Sequence, residues 1–320
     1  MIWDKRGLLL SVDKDSDWSW SHCHKPTPVL LGKDRIRVYF GVRSKTGITR
    51  TTFADFEVLP DFDLTLLYRH DKPCFDIGKL GAFDDSGANV SCVINEGSLL
   101  YMYYIGWNPS TTVHTRNSIG IAKSTNGGVS FNRIFDGPII DRNHIEPYYT
   151  GAVEVIRSDS NDDARFWVYY TSGTEWILVD GKPEIKYHIK FGHSKDGIVW
   201  IRDNQDAILS ENPDECVARP SVVRHNNRFL MWYSRRSISR FRTDMSRGYR
   251  AGFAYSNDGL NWNRCDDKSG IEPSSTGWDS EAIAYPYVIR YKDAYIMFYN
   301  GNGFGRTGFG YAVAPVSAFD

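Results

Sequence analysis

The chain has 320 residues, which suffices for one large all-β domain or for two domains of average size. Tyrosine (19), phenylalanine (17), tryptophan (10) and glycine (28) are abundant, a composition that favours β-structure with many turns. The 38 Lys and Arg residues nearly balance the 39 Asp and Glu residues, and the net charge of −1 argues against a nucleic-acid-binding protein.

The five cysteines are scattered and form no CxxC pair, which argues against a disulfide framework and against a structural zinc site. The first ten residues are too short and too charged for a signal peptide, and no window approaches the roughly 18 apolar residues of a transmembrane helix. We therefore expect a cytoplasmic protein that does not insert into membranes and binds no metal or cofactor.

A unit of about 65 residues recurs five times along the chain. The first predicted strand of each unit ends in a small residue or proline, any residue, and then valine. These strands occupy residues 22–29, 84–93, 146–155, 214–222 and 280–288.

The second strand of each unit alternates aromatic and β-branched residues, which is the signature of a strand. These strands occupy residues 36–41, 99–106, 166–173, 229–234 and 295–301. The third strand leads into a turn rich in Gly, Asn and Asp, which favours a tight hairpin. An aromatic residue follows this turn at Phe131, Trp200 and Trp262, and we expect it to anchor the fourth strand between neighbouring blades.

The fifth unit ends near Pro315, where its fourth strand should begin, and residues 6–12 form a spare strand at the other end of the chain. Pairing the two would remove an exposed sheet edge. The sequence therefore predicts an all-β fold, a five-bladed β-propeller closed by an N-terminal strand, with residues 1–320 forming a single domain. Residues 107–117 and 175–187 are predicted insertions on the rim.

In a propeller the first strand of each blade lines the central channel, so equivalent positions form a ring. Every unit except the first has a carboxylate five or six residues before its small-or-proline position, and the first unit has a histidine there. The positions counted from are Pro28, Val90, Ala152, Pro220 and Pro286. A single acid at a strand start is most simply a solvated loop residue, but its recurrence indicates a function.

Two carboxylates of different pKa are what glycoside hydrolysis needs, one as acid and one as base or nucleophile. The sequence thus predicts five catalytic residues, namely His22, Asp85, Glu146, Glu215 and Glu281.

The third strands bring cations to equivalent positions, at Arg50, His188, Arg250 and Arg306, and Arg235, Arg236, Arg240 and Arg242 form a local basic cluster. Converging cations suggest an anionic ligand such as phosphate, a carboxylate or a nucleotide-sugar diphosphate. Aromatic side chains stack on sugar rings and amides bind hydroxyls, although core packing and turns account for such residues equally well. The predicted substrate-binding residues are Arg50, Asp84, Trp107, His188, Arg219, Arg250, Tyr285, Asn300 and Arg306.

The Trp278-Asp-Ser-Glu281 stretch, the Tyr285-Pro-Tyr-Val288 stretch and the repeated Ser-x-Asp-Gly-x-x-Trp turns resemble the five-bladed relatives of glycoside hydrolase families 32, 43 and 130. These include glycosyl hydrolases of surface-polysaccharide gene clusters, and the resemblance covers essentially the whole chain. Glu215-Cys216 is similar to the Glu-Cys of family 32, where the glutamate is the general acid. The chain departs from those families in its first unit, where Ser21-His-Cys-His24 stands in place of their aspartate.

Three functions remain open from the sequence. The first is a glycosidase-like enzyme on an anionic sugar or glycoconjugate, with Glu215 or Glu281 as acid and Asp85 or Glu146 as base. The second is a phosphorylase or transferase of surface-polysaccharide metabolism, in which the Arg and His residues hold phosphate and the missing first-blade base is explained. The third is a non-catalytic carbohydrate-binding propeller. The expected partner is a carbohydrate or a sugar phosphate in each case.

Overall fold

The computed structural model describes residues 2–159 and 163–320. Its strands form five antiparallel sheets of four strands each, which we number as blades 1 to 5 in chain order. The N-terminal strand β1 (Asp4–Leu10) belongs to blade 5. Blade 1 consists of β2 (Ser21–Gly32), β3 (Arg35–Arg43), β4 (Thr49–Val58) and β5 (Leu64–Arg69), and blade 2 of β6 (Ala88–Glu96), β7 (Leu99–Asn108), β8 (Arg116–Ser124) and β9 (Asn132–Arg133).

The later blades repeat this arrangement. Blade 3 consists of β10 (Tyr149–Arg157), β11 (Phe166–Val179), β12 (Lys182–Ser194) and β13 (Ile201–Ile208), and blade 4 of β14 (Glu215–His225), β15 (Arg228–Ser237), β16 (Arg250–Ser256) and β17 (Asn263–Arg264). Blade 5 consists of β18 (Ala284–Tyr291), β19 (Ala294–Asn300), β20 (Phe309–Pro315) and β1. The described helical segments are one short turn, α1 (Asn302–Gly305), and 3-10 turns at Pro60–Phe62, Met245–Arg247, Asp266–Lys268 and Val316–Phe319.

The innermost strands β2, β6, β10, β14 and β18 contact one another in ring order, and β18 lies against β2. The predicted five-bladed β-propeller is confirmed. The ring is closed by β1, which pairs antiparallel with β20 through Asp4 opposite Val313 and Lys5 opposite Ala312. No helix in the described part of the chain is long and apolar enough to cross a membrane.

The repeated Ser-x-Asp-Gly turns connect neighbouring blades. In blade 3, Ser194 Oγ accepts a hydrogen bond from the Gly197 amide at 2.9 Å, and the Gly197 carbonyl accepts one from Tyr103 of blade 2 at 3.0 Å. Gly197 has a φ of +73° and its missing Cβ leaves room for the Tyr103 hydroxyl, so glycine is required twice over. The aromatic residue after the turn, Trp200, packs edge-on against Tyr103, as predicted.

The same contact recurs in two other blade pairs. Tyr39 donates to the Gly128 carbonyl and packs against Phe131, and Tyr169 donates to the Gly259 carbonyl and packs against Trp262. The turn motif identified in the sequence therefore connects neighbouring blades through a tyrosine hydrogen bond and an aromatic contact.

Bulges in the innermost strands change the predicted register of blade 1. Lys25, Arg219 and Tyr285 have φ values of +57°, +57° and +54°, and each directly precedes a proline within a bulge. Proline is tolerated there because the bulge leaves its position without a ladder hydrogen bond. The structure thus aligns Pro26, and not Pro28, with Pro220 and Pro286. The predicted placement of His22 in the ring of blade-start residues was wrong by two positions.

We expect the N-terminal closure to contribute strongly to stability through Trp3. This side chain is 4 % exposed, packs against Trp232 and Phe319, and donates to the Ser269 carbonyl at 3.1 Å. Trp3→Ala should lower the free energy of unfolding in urea by about 3–5 kcal/mol because it leaves a cavity. Ile2→Ala is the matched control, since Ile2 is 82 % exposed and its loss should change stability by about 0.5 kcal/mol or less. Equal midpoints for the two variants would contradict the expectation.

Candidate functional site

A cavity of about 510 Å³ opens at one end of the propeller axis, and all five blades contribute to its wall. We call it the central cavity. Its charged and histidine side chains are His24, Lys25, Arg43, His114, Glu184, Arg236 and Arg242. Its other polar and aromatic side chains are Thr49, Asn89, Trp107, Thr115, Asn117, Tyr149, Tyr187, Phe241, Tyr249, Tyr285 and Phe304.

The wall of the central cavity is strongly cationic. Arg242 forms an ion pair with Glu184, the one carboxylate among the described lining residues. Lys25, Arg43 and Arg236 pair with no carboxylate in the described ranges. Arg236 is 5 % exposed and donates instead to the Tyr187 hydroxyl at 3.0 Å and to the Ser237 carbonyl at 2.7 Å. Uncompensated cations facing one cavity favour an anionic ligand.

The side chain of Lys25 lines the cavity, and hydrogen bonds with Asn300 hold its backbone in place. Its amide donates to Asn300 Oδ1 at 2.7 Å, and the Asn300 Nδ2 donates in turn to the carbonyls of Cys23 at 2.6 Å and Gly308 at 2.8 Å. Burial lowers the pKa of Lys25 to about 7, and the charges of Arg219 and Arg43 contribute to the lowering. A positive φ at a non-glycine residue is typical of functional sites that the surrounding structure holds in place.

Four tyrosines give the cavity neutral hydroxyls and ring faces. Tyr149 accepts from Asn117 Nδ2 at 2.7 Å and stacks beside Tyr187, with ring centroids 6.3 Å apart. The rings of Tyr249 and Tyr285 lie 5.1 Å apart. Burial raises the pKa of Tyr149, Tyr187 and Tyr285, so these three hydroxyls stay protonated at neutral pH. Such rings suit stacking on a sugar and such hydroxyls suit its polar groups.

Two buried polar atoms of the wall have no hydrogen-bond partner among the described residues. They are His24 Nε2 and Asn89 Oδ1, on side chains 7 % and 6 % exposed. A Cβ on Gly41 would lie 2.7 Å from the first and 2.3 Å from the second, so glycine leaves the space they share. Burial, with the charges of Arg43 and Lys25, keeps the pKa of His24 well below its usual value and the imidazole neutral. The two side chains therefore pack closely against Gly41 at the edge of the cavity.

The two predicted rim insertions both reach the cavity. The first segment contributes Trp107 from the end of β7, His114 from the β7–β8 connection and Asn117 from the start of β8. The extended β11–β12 hairpin contributes Glu184 and Tyr187. His114 and Trp176 touch edge-on between the two segments, with ring centroids 5.4 Å apart. Together they deepen the cavity on the side of blades 2 and 3.

The recurring blade-start carboxylates lie inside the blades and do not line the central cavity. One carboxylate near the start of each of blades 2 to 5 pairs with a cation on the outermost strand of its own blade, and in blade 5 it is Asp279 rather than the predicted Glu281. The pairs are Asp84 with Arg133 at 2.6 Å, Glu146 with Arg202 at 2.8 Å, Glu215 with Arg264 at 2.6 Å and Asp279 with Lys5 at 2.8 Å. Blade 1 has an exposed counterpart, Asp15 with Arg69.

A tyrosine of the second strand completes the arrangement in several blades. Tyr170 donates to Glu146 at 2.8 Å and Tyr299 donates to Asp279 at 3.0 Å. The recurrence that suggested a catalytic ring is accounted for by this ion pair. The catalytic roles of Glu146 and Glu215 remain predictions that their burial and pairing do not favour.

The other predicted catalytic residues also lie off the cavity wall. Asp85 accepts hydrogen bonds from the Gly81 amide at 2.9 Å and from Asn108 at 2.6 Å, which holds its loop. The Glu281 backbone is bound by Asn302 and Arg250. His22 contacts Ser21 and packs edge-on against His24, and burial with the charges of Arg43 and Arg306 lowers its pKa to about 4.

The predicted third-strand cations have contacts outside the central cavity. Arg50 bonds Asp76 at 2.6 Å, and His188 lies 3.6 Å from Asp206. Arg250 donates to three backbone carbonyls, and Arg306 is exposed near His22. They do not converge on the central cavity.

Of the predicted binding residues, Trp107 and Tyr285 line the cavity. Asn300 accepts a hydrogen bond from the Lys25 amide and donates to the carbonyls of Cys23 and Gly308. It therefore positions Lys25 without lining the cavity. Arg219 lies 1 % exposed in the channel below, where it donates to the Ser91 carbonyl and to Thr27 Oγ1 at 2.9 Å. Asp84 is fully buried in its ion pair.

Sequence reasoning missed His24, Lys25, Arg43, Asn89 and most of the tyrosines. One signal was present, because Lys25-Pro, Arg219-Pro and Tyr285-Pro share the bulge position. The basic cluster was a second signal, since Arg236 and Arg242 from it line the cavity. Arg43 and Asn89 converge only through the closure of the ring, and no local pattern marks them.

The comparisons with known proteins found relatives that span the whole chain. "Uncharacterized protein MT1551" and "Uncharacterized protein Rv1502" of Mycobacterium tuberculosis are each 32 % identical to it over 314 residues, which is 98 % of this chain and 99 % of theirs. No family model matches the chain.

Solved structures share the fold at low identity. A protein named as a glycoside hydrolase has a TM-score of 0.73 and 18 % identity, with 97 % of this chain and 91 % of its own chain covered. A structure from work on the GH130 family of mannoside phosphorylases, reported to contain glycoside hydrolases that target β-1,2 mannosidic linkages in Candida mannan, has a TM-score of 0.68 and 13 % identity, with 98 % and 93 % covered. A thermostable family-43 glycoside hydrolase has a TM-score of 0.63 and 15 % identity, with 96 % and 92 % covered. The predicted resemblance in fold is confirmed.

The ion pair of blade 3 predicts a stability effect for a residue that the sequence suggested as catalytic. Glu146→Ala should lower the free energy of unfolding by about 3–5 kcal/mol, because Arg202 and Lys190 would lose their buried counter-charge. Glu281→Ala is the matched control, since no described residue pairs with that carboxylate. Urea unfolding measures both, and a Glu146→Ala protein as stable as the control would rule out the structural role.

Lys25 predicts that anion binding depends on pH. With a pKa of about 7, Lys25 is cationic below that pH and neutral above it, so affinity should fall as pH rises. Sulfate does not titrate in this range, and its affinity should drop by at least about tenfold between pH 6 and pH 8.5. Lys25→Arg should make the profile flat, as measured by calorimetry. A decline that persists in Lys25→Arg would assign the pH dependence to a group other than Lys25.

Proposed function

The chain belongs to the family of the Mycobacterium tuberculosis proteins MT1551 and Rv1502, and from its central cavity we propose that it is a carbohydrate-active enzyme. The proposed reaction cleaves or forms a glycosidic bond while an anion, phosphate or an acidic group of the substrate, sits against Lys25, Arg43 and Arg236. Phosphorolysis is the form of this reaction that the site supports best.

The observation that supports the proposal is the balance of charge on the cavity wall. Three unpaired cations face the space, and Glu184 is the one carboxylate among the described lining residues. Hydrolysis by the usual route requires two carboxylates that flank the scissile bond. Phosphorolysis requires only one proton-transferring group, because a phosphate oxygen is the attacking atom.

The lining also suits a sugar. The faces of Trp107, Tyr149 and Tyr285 offer stacking surfaces. The fold neighbours point the same way, since one comes from a family described as mannoside phosphorylases that contains glycoside hydrolases, and another is a family-43 glycoside hydrolase. Activity and substrate are transferred from them only as part of this proposal.

The proposed step balances with the residues present. A phosphate oxygen held by Lys25, Arg43 and Arg236 forms a bond to the anomeric carbon, and the bond from that carbon to the leaving oxygen breaks. The leaving oxygen takes a proton from the Glu184 carboxyl group. Arg242, whose side chain is 51 % exposed, is free to turn toward an entering anion, which would release Glu184 to take up the proton it donates.

Two-carboxylate hydrolysis is the weaker alternative, because Asp85, Glu146, Glu215 and Glu281 do not line the central cavity. A non-catalytic carbohydrate-binding propeller is favoured by one observation, the ion pair between Arg242 and Glu184. A role in surface-polysaccharide metabolism and a cytoplasmic location remain predictions from the sequence.

The test is a screen of glycosides and sugar phosphates, each with and without inorganic phosphate. We expect turnover that requires phosphate in the degradative direction, or that releases phosphate from a sugar 1-phosphate in the synthetic direction. Glu184→Gln should lower kcat by at least about 100-fold while sulfate binding is retained. Lys25→Met should weaken sulfate binding and raise the KM for phosphate.

Controls separate the competing functions. Arg224→Met removes an exposed arginine that is paired with Asp159 away from the central cavity and should leave both properties unchanged. Turnover in phosphate-free buffer that is lost in Glu215→Gln would instead support the two-carboxylate hydrolase. Sugar binding without turnover in the wild type, unaffected by Glu184→Gln, would support the binding protein.

A further inference from the structure

A second, smaller cavity of about 110 Å³ lies beside the central cavity in blade 4. Four arginines line it, namely Arg235, Arg236, Arg247 and Arg250, with Ser246 and the Gly248 backbone. We call it the arginine pocket. Its size admits a group such as phosphate, and Arg236 lines both this pocket and the central cavity.

The pocket contains a charge arrangement that is unfavourable for folding. Arg235 on β15 and Arg250 on β16 lie directly opposite each other in antiparallel register. Like charges in such cross-strand pairs destabilise a sheet. Burial lowers the pKa of Arg250, and the charge of Arg235 lowers it further against the opposing effect of Glu272. A repulsion at this end of the β15–β16 ladder is accounted for if an anion neutralises it.

The nearby carboxylates leave this repulsion largely in place. Asp214 is engaged by Arg247, and Glu215 is engaged by Arg264, which lies outside the pocket. Asp266 lies 3.3 Å from Arg235 Nε but is shared with Arg264. Glu272, whose side chain is 66 % exposed, lies 3.9 Å from Arg250 Nε. The two carboxylates that line the pocket, Asp214 and Glu215, are thus paired with Arg247 and Arg264, which leaves Arg235 and Arg250 with the shared Asp266 and this exposed glutamate.

Donors remain free for a ligand. Neither Nη group of Arg235 donates a hydrogen bond to any other described residue, and Arg247 uses Nε and Nη2 but not Nη1 within the described ranges. Arg236 bonds the Tyr187 hydroxyl through Nε and the Ser237 carbonyl through Nη1, and it also interacts with Tyr249. Planar guanidinium groups with free N–H pairs match the geometry of phosphate oxygens.

We propose that the arginine pocket is a second oxyanion site that receives a phosphate group at the free N–H groups of Arg235 and Arg247, with the charge of Arg250 beside them. Since Arg236 joins it to the central cavity, the substrate class would be a phosphorylated sugar or a nucleotide sugar, with the sugar in the central cavity and a phosphate in the pocket. The site itself stands apart from the proposed function, and only this substrate class depends on it.

The experiment counts sulfate ions bound at low ionic strength by calorimetry at pH 6.5. The wild type should bind two, one in each cavity. Arg235→Met should remove the pocket ion and leave the other, Lys25→Met should do the reverse, and the double variant should bind neither. Arg224→Met is the matched arginine control and should still bind two.

Thermal melting gives a second readout that does not depend on activity. In anion-free buffer, Arg235→Met should melt no lower than the wild type, because it relieves the repulsion with Arg250 and leaves Asp266 paired with Arg264. Sulfate should raise the melting temperature of the wild type more than that of the variant. Arg235→Lys should keep part of the sulfate effect, because the charge remains without the planar fork.

The outcomes separate this inference from the proposed function. One bound sulfate that only Lys25→Met removes would overturn the arginine pocket and leave the central anion site standing. One bound sulfate that only Arg235→Met removes would support the pocket and count against the central anion site. If glucose 1-phosphate displaces both sulfates at once, one ligand bridges the cavities. Displacement from the central cavity alone would leave the pocket as a site for a separate anion and overturn the bridging substrate.

Discussion

The propeller depends on one repeated interaction, the ion pair between a carboxylate at the start of each blade and a cation on its outermost strand. The outermost strands of blades 2 and 4 are only two residues long, and their cations, Arg133 and Arg264, are the second residue of each. Because a strand of two residues supplies few ladder hydrogen bonds, the ion pair is needed to hold the outermost strand to the start of the innermost strand of the same blade. A buried pair of this kind is costly to break, because the remaining charge is left without a partner.

This use of the carboxylates determines the character of the central cavity. Because the acids are engaged inside the blades, the side chains that reach the axis are cations, tyrosines and amides. Lys25 lies in a bulge of β2, and its backbone amide is held by a hydrogen bond to Asn300 on β19 of blade 5. The resulting wall attracts anions and presents neutral hydroxyls, a combination that suits a phosphorylated sugar or a sugar beside free phosphate.

Blade 4 contains both a structural ion pair and arginines that are suited to binding an anion. Its ion pair joins Glu215 to Arg264, while two further arginines, Arg235 and Arg250, oppose each other across the sheet. The first arrangement stabilises the blade and the second strains it. Their coexistence within one blade separates residues that serve the fold from residues suited to binding a ligand.

The fold was predictable because its signals are local and repeated. The alternating aromatics of the second strands, the Ser-x-Asp-Gly turns and the spare strand at the N-terminus each report on neighbours within a few residues, and five copies reinforce one another. The same reasoning found Asp84, Glu146 and Glu215 within one position of one another in the aligned units, yet placed them at the channel mouth. Their partners Arg133, Arg202 and Arg264 lie 49, 56 and 49 residues further along the chain, beyond the reach of any local pattern.

The sequence by itself determined the architecture of this protein, because strand periodicity and turn chemistry are properties of short segments. The tertiary structure alone decided which charges are paired within the blades and which face the cavity. A carboxylate acts as a structural counter-ion or as a proton donor according to what lies within a few ångströms of it, and ring closure sets that neighbourhood. It likewise decided that Lys25, Arg43 and Arg236, from two different blades, meet in one space without a counter-charge.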